Sequence, residues 1–361
     1  MGLSGANPPG PPSSTRRSRS WLGKLREGAV EMTKMETPYG PVLVTGATGY
    51  LAGWVVKLLL DTGVTVHASV RDPDNIAKVR HLLDMADKAP GSLRLFKADL
   101  LDPGSHEAAM DGCRIVMHTA SPFLLPSGIS DPQRDLVEPA LAGTRDVLET
   151  VNRVASVERV VLTSSTVAIV DPVQITDKIH TETDWNDYAS IETTAYPYSK
   201  VLAEREAWKI ADSQARWKLV AINPAFIVGP GTASQQTSAT FDQFRAMSNG
   251  TFSKALPSRD VGVIDVRDVA EAHLRGAYVP GAGGRNIVYA EVLSFNDIAT
   301  ILKEEFGEDT RWQFPPETPW DFSTPHWRAD NSKAASELGM VYRPLRPAII
   351  ETFRQLTAQS S

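Results

Sequence analysis

Tyr196 and Lys200 stand four residues apart in the run Tyr196-Pro197-Tyr198-Ser199-Lys200. Leu202, Ala203, Glu206, Ala207 and Trp208 continue at helical spacing, so the pair shares one helical face. A free phenol titrates near ~10 and is a poor acid–base catalyst at neutral pH. A lysine ammonium held beside it stabilises the phenolate and is expected to draw the phenol toward the working range. Ser165 closes the apolar run that begins at Arg159, where its hydroxyl can hold a substrate oxygen in line with the phenol. Together the three suit proton transfer at a substrate oxygen. Tyr198 faces elsewhere on the helix and is read as packing.

The element that must position a reactant for this trio lies near residue 41. Val42, Leu43 and Val44 form a continuous apolar run, as in a parallel strand covered on both faces. Gly46, Gly49, Ala52 and Gly53 follow, and Leu51, Trp54, Val55, Leu58 and Leu59 then recur at helical spacing up to Gly63. A strand, a glycine turn and a helix start together form an anion site, because free N–H groups and the positive dipole end converge there. Gly46, Thr48, Gly49, Tyr50 and Leu51 are the candidate cradle for a dinucleotide diphosphate.

Four more strands are read at 64–70, 93–100, 115–121 and 159–165, with a long helix over 136–154. This alternation predicts an α/β fold, a Rossmann-type doubly wound parallel sheet, with ligands outside the strand carboxyl ends. The ends are Gly46, Arg71, Asp99, Ala120 and Ser165. Arg71 lies 22 residues beyond Gly49 and suits a 2′-phosphate, hence NADP, whereas Asp72 in that place would select NAD. Lys78 and Arg80 can add positive charge to the same phosphate. Asp99 and Leu100 are candidate contacts on the adenine side, with Asp99 as a helix cap the alternative. Thr119, Ala120 and Ser121 form a small-residue turn able to pass beneath the cofactor. His118 reads as a satisfied core histidine and Cys113 as a packed thiol.

Gly46-x-x-Gly49, Thr163-Ser164-Ser165 and Tyr196-x-x-x-Lys200, in this order, resemble the extended short-chain dehydrogenase/reductase superfamily. Closer still, VTGATGYLAGW, SVRDP, HTASPF, YPYSK, NPAFIVGP and DVRDVAEAH are similar to the dihydroflavonol reductase, cinnamoyl-CoA reductase and fungal aldehyde/ketone reductase group. The resemblance covers about residues 40–355. It implies that Tyr196 is the general acid and that Lys200 binds the nicotinamide ribose. Ser165 then holds the carbonyl, Arg71 accompanies NADPH, and Pro224 borders the nicotinamide. It also implies a mainly NADP-binding core over 39–230 and an interleaved substrate lobe over 231–361. Phe123, Tyr188, Phe226 and Phe241 are candidate liners of the cleft, each with core packing as the alternative. The implied activity is NADPH-dependent reduction of an aldehyde or ketone, reversible as an alcohol dehydrogenase. The alternatives are an NAD-dependent sugar-nucleotide epimerase, a hydroxysteroid dehydrogenase/isomerase, or a non-catalytic dinucleotide sensor. Phenolic, flavonoid, polyketide and aliphatic carbonyls all stay open as substrates, because the loop after Gly229 matches no pattern.

Composition narrows the partners. With 361 residues, 42% hydrophobic content and a net charge of −6, the chain reads as globular, without the basic face of a nucleic-acid binder. No apolar run approaches the roughly 20 residues of a membrane span. A small-molecule substrate is the expected partner, with the protein a monomer or homodimer. One cysteine allows no internal disulfide and fits a cytoplasmic setting. Seven of the first twelve residues are Gly or Pro, and Arg16, Arg17, Arg19, Lys24 and Arg26 precede the first acid, Glu27. Residues 1–38 therefore read as a disordered or non-native extension, with an organelle transit peptide the alternative. No zinc spacing is present. Farther on, 263–270 reads as a strand entering a helix with Asp268 near its cap and an Asp265–Arg267 brace. Ser294 and Asp330–Ser332 are read as opening further helices.

Overall fold

Val42–Val44 (β1) is buried at every residue and pairs in parallel with strands on both sides. In the computed structural model the described residues are 40–121, 129–174, 176–256, 258–317 and 326–358. The extension assigned to 1–38, and Phe123, lie outside them. After β1 come α1 (Tyr50–Asp61), β2 (Thr65–Val70), α2 (Ile76–Ala86), β3 (Ser92–Lys97), α3 (Glu107–Met110) and β4 (Ile115–His118). A π-helical turn, Gln133–Val137, leads into α4 (Glu138–Arg153), followed by β5 (Arg159–Thr163), α5 (Ala195–Asp212), β6 (Lys218–Pro224), β7 (Phe226–Val228) and α6 (Ala239–Ser248). The remainder is β8 (Asp260–Asp265), α7 (Val266–Tyr278), β9 (Gly284–Val288), β10 (Glu291–Ser294), α8 (Phe295–Phe306), α9 (Ser332–Glu337) and α10 (Leu345–Ala358).

Among the described residues the main sheet has seven parallel strands in the order β3-β2-β1-β4-β5-β6-β9. The doubly wound α/β fold is therefore as expected, and strand order reverses between β1 and β4, where such sheets open a crevice. A second sheet runs β10-β8-β7, with β10 antiparallel to β8. The main sheet thus takes β9 from the carboxyl-terminal third, and the small sheet takes β7 from before residue 230. All described residues fall in one compact unit, Thr37–Ser361.

The central strands are apolar on both faces because helices cover both. On one side Leu43, Val116, Val160 and Leu219 pack with Val147, Leu148 and Val151 of α4 and with Ala207 and Ala211 of α5. On the other, α7 lies against α1, β5 and β6. β3, at the edge, alternates between exposed and half-buried, as one covered face requires. β3, β4 and β5 stop two or three residues earlier than read, at Lys97, His118 and Thr163. Their polar ends leave the ladder to make turns, which frees Asp99, Ser121 and Ser165 from the sheet. The cap of α7 is Asp265, not Asp268: the Asp265 carboxylate accepts from Arg267 N (2.8 Å). Arg267 also pairs with it (2.6 Å), while Asp268 pairs with Arg343. Ser294 and Asp297 form a reciprocal capping box on α8. Among the described residues no helix is long and apolar enough to cross a membrane.

Candidate active site

Main-chain bonds pin the turn between β1 and α1. Thr45 N donates to Met117 O (3.0 Å), Ala47 N to Ser69 O (3.0 Å) and Gly49 N to Gly46 O (2.9 Å). Gly46 has φ +63°, and a Cβ there would stand 2.9 Å from Ala120 Cβ, so conformation and space both exclude a side chain. At Gly49 a Cβ would lie 3.1 Å from Gly46 O. No side chain caps α1, and its first turn has no acid. Open N–H groups beneath a turn that lacks side chains at Gly46 and Gly49 fit a diphosphate. Tyr50 and Leu51 offer that cradle only their main chains. The Tyr50 hydroxyl donates to Gly229 O (2.6 Å), and Leu51 is buried. Thr48 is half-buried beside them. Trp54 Nε1 donates to Pro230 O (2.7 Å), and a Cβ at Gly53 would collide with Thr232, so this helix also anchors the loop after β7.

At the nucleotide end, Arg71 leaves β2 with its side chain 85% exposed and Nε 4.0 Å from an Asp99 carboxylate oxygen. Asp72 is engaged in its own turn, accepting from Asp74 N (3.1 Å). Lys78 and Arg80 are exposed on α2, and the Lys78 N–H is held by the cap residue Asn75 (3.3 Å). Asp99 accepts from Leu101 N (2.9 Å), capping a local turn rather than a helix, since α3 begins only at Glu107. Leu100 turns its side chain toward Gly143 of α4, into the core. Thr119 Oγ1 donates to Thr45 O (2.5 Å) and Ala120 N to Thr45 Oγ1 (3.1 Å), which holds the small-residue turn against the glycine turn. His118 is buried on Thr45 Oγ1 (3.0 Å), and burial brings it down to about 3, so it is neutral. Cys113 is buried and its thiol is pushed up to about 12, an inert packing group.

The chemistry-bearing residues gather at the same sheet edge. Lys200 Nζ donates to Ser121 Oγ (2.9 Å), just beyond β4. Ser165 lies two residues past β5; its Oγ accepts from Val167 N (3.3 Å) and donates weakly to Pro224 O (3.5 Å) at the end of β6. Tyr196 sits one turn before Lys200 on α5, 39% exposed, and among the described residues its hydroxyl has no hydrogen-bond partner. Even so, the protein massed around it pushes the phenol up to about 12, the reverse of the depression expected from the motif. The reason is placement: Lys200 Nζ lies 5.8 Å from the ring centroid and is engaged by Ser121. Burial brings Lys200 itself down to about 8, with the Glu204 charge pulling the other way. Of the aromatic liners, Phe241 is fully buried edge-on to Tyr50 and is core. Phe226 is half-buried against Phe295, and Tyr188 is 44% exposed.

One group had no place in the sequence reading. Glu204, one turn beyond Lys200, is 1% exposed and paired with Arg285 of β9 (2.7 Å). Its spacing from Tyr196 and Lys200 was a usable signal, but nothing local pointed to Arg285, 81 residues away. Among the described residues no cluster of His, Cys, Asp and Glu could hold a metal ion.

Known proteins share this fold and sequence. Residues 42–289 match the model of the NAD dependent epimerase/dehydratase family. A cinnamoyl-CoA reductase of Medicago truncatula is 37% identical, over 87% of this chain and 95% of its own. An anthocyanidin reductase of Vitis vinifera is 36% identical, over 73% of this chain and 80% of its own. Among solved structures, the yeast methylglyoxal/isovaleraldehyde reductase Gre2 complexed with NADPH superposes with a TM-score of 0.77 at 29% identity, covering 89% of this chain and 99% of that one. The chain belongs to the NAD dependent epimerase/dehydratase family, the extended short-chain dehydrogenase/reductases that its motifs resemble.

Proposed function

We propose that this protein is an NADPH-dependent reductase of an aldehyde or ketone, working in reverse as an alcohol dehydrogenase. The observation that carries the reading is the seating of Lys200 on Ser121. That contact brings the Tyr196 face of α5 to the sheet edge that also bears the glycine turn and Ser165. The reductase names of the relatives, and the NADPH in the yeast structure, support the same class.

When bound, the cofactor supplies a hydride to the carbonyl carbon. Tyr196 gives its phenolic proton to the carbonyl oxygen. A phenol is protonated at neutral pH, and the surrounding protein raises this one further, so it is in the state that reduction needs. The reverse reaction needs the phenolate, which the same burial disfavours. The Ser165 hydroxyl orients the oxygen, and the Lys200 ammonium would hold the ribose and offset the charge on the phenolate that Tyr196 becomes once its proton is given up. The test is NADPH consumption across a panel of phenolic, flavonoid, polyketide and aliphatic carbonyls. Consumption with at least one class above the blank is expected, and none with any class overturns the proposal.

NADPH rather than NADH follows from Arg71. It is exposed enough to meet a 2′-phosphate, while one Asp72 carboxylate oxygen is taken up by its own turn. A charge-assisted bond contributes about 1.5–3 kcal/mol, roughly 10- to 100-fold in affinity. Arg71→Ala is expected to raise the KM for NADPH by about that factor and to leave the KM for NADH nearly where it was. Equal changes for both cofactors would refute the preference.

A further inference from the structure

Tyr196, Lys200 and Glu204 repeat every four residues along one face of α5, and the third is a carboxylate at 1% exposure. It collects five hydrogen bonds. Oε2 accepts from Ser164 Oγ (2.6 Å), Asn223 Nδ2 (3.0 Å) and Arg285 Nη2 (3.2 Å). Oε1 accepts from Arg285 Nε (2.7 Å) and Trp208 Nε1 (3.1 Å). Arg285 is itself buried, stacked 3.9 Å from the Trp185 ring centroid, and donates to the carbonyls of Ala168, Glu182 and Asp184.

A buried ion pair is a weak source of stability, since desolvation offsets most of the attraction. What this one joins is more telling. Ser164 precedes Ser165, and the Asn223 amide that reaches Glu204 also donates to Ser165 O (3.2 Å). Asn223 adjoins Pro224, whose carbonyl receives the Ser165 hydroxyl. The Ser164–Ser165 bend, α5 and the end of β6 are therefore tied to one carboxylate.

We propose that Glu204, braced by Arg285, is the positioning residue of this site: it fixes α5, and with it Tyr196 and Lys200, against the Ser164–Ser165 bend. The proposal rests on the reductase reading above. Lys200 touches Tyr196 on α5 and Ser121 past β4, and Glu204 on α5 and His118 within β4 are near enough for their charge to act on it. His118 and His106 behind it are both held neutral by burial, and Arg285 faces Glu204 from β9. Glu204 is therefore the one negative charge among these groups near neutral pH. Burial brings Lys200 down to about 8 against the pull of Glu204, so removing that charge lets Lys200 fall further.

The test compares pH profiles of turnover with NADPH and the best carbonyl of the panel. Glu204→Gln keeps the size and loses the charge. Its turnover is expected to fall about 10- to 100-fold, the scale of a small misplacement, and its alkaline limb to move to lower pH than that of the wild type. Ser164→Ala removes one donor but leaves the charge, so it should lower turnover with the alkaline limb unmoved. Should Glu204→Gln fail to fold around an orphaned guanidinium, the double variant Glu204→Gln/Arg285→Met removes both charges and is expected to show a smaller alkaline displacement in the same direction, because loss of the more distant Arg285 cation partly offsets loss of the Glu204 anion. A folded charge-removing variant with the wild-type limb and turnover overturns the proposal. A wild type that reduces no carbonyl sinks the reductase reading instead.

Discussion

Replacing Tyr196 with phenylalanine is expected to lower turnover by about 10²–10⁴-fold, the usual size of a general-acid contribution, while NADPH still binds. The substitution removes one oxygen and nothing else. Among the described residues that hydroxyl has no hydrogen-bond partner, so its loss orphans no buried group and should leave stability nearly unchanged. The ring stays, and with it the contact at 5.8 Å from Lys200 Nζ. Whatever falls is therefore proton donation. Steady-state turnover with the best carbonyl, set beside a fluorescence titration of NADPH, separates the two. Turnover close to that of the wild type would remove Tyr196 from the mechanism, whatever its motif suggests.

The motif shows what local sequence can and cannot carry. Helical spacing was enough to put Tyr196 and Lys200 on one face of α5, because that depends only on residues four apart. It could not supply the state of the phenol, which depends on how much protein surrounds the ring and on where the ammonium is held. Ser121, 79 positions away, decides the second. β1 to β5 were legible because burial on both faces leaves continuous apolar runs such as Val42–Val44, whereas β6 went unread although Leu219–Ile222 is just such a run. β7, β9 and β10 were not read either: each is short, and Gly284–Val288 starts with Gly-Arg-Asn, whose buried polar side chains draw on partners as distant as Glu204 and Ala221. The same limit hid Arg285 and the tie from Tyr50 to Gly229. Sequence separation, more than chemistry, marks the boundary.

Gly46→Ala is expected to weaken NADPH binding by about 10- to 100-fold. Holding a residue with a Cβ at φ +63° costs roughly 1–2 kcal/mol, and the new methyl would press on the turn that follows β4 at 2.9 Å. That turn cannot easily retreat, because Ala120 N and Thr119 Oγ1 are both bonded to Thr45. Relief comes instead from rotating the Gly46 peptide, which would disturb the Gly49 N to Gly46 O bond and turn the open N–H groups of α1 away from a common point. At about 1.4 kcal/mol per decade, the strain alone accounts for about tenfold and the lost convergence for the rest. Gly63→Ala is the control. It carries the same kind of conformational strain at φ +83°, but its Cβ would meet nothing within 4 Å and it lies at the far end of α1. It should lower the Tm and leave the Kd for NADPH alone. If the two alanines shift the Kd equally, the close approach of Gly46 to Ala120 has no part in binding, and the turn is a generic βα corner rather than the cradle of the cofactor.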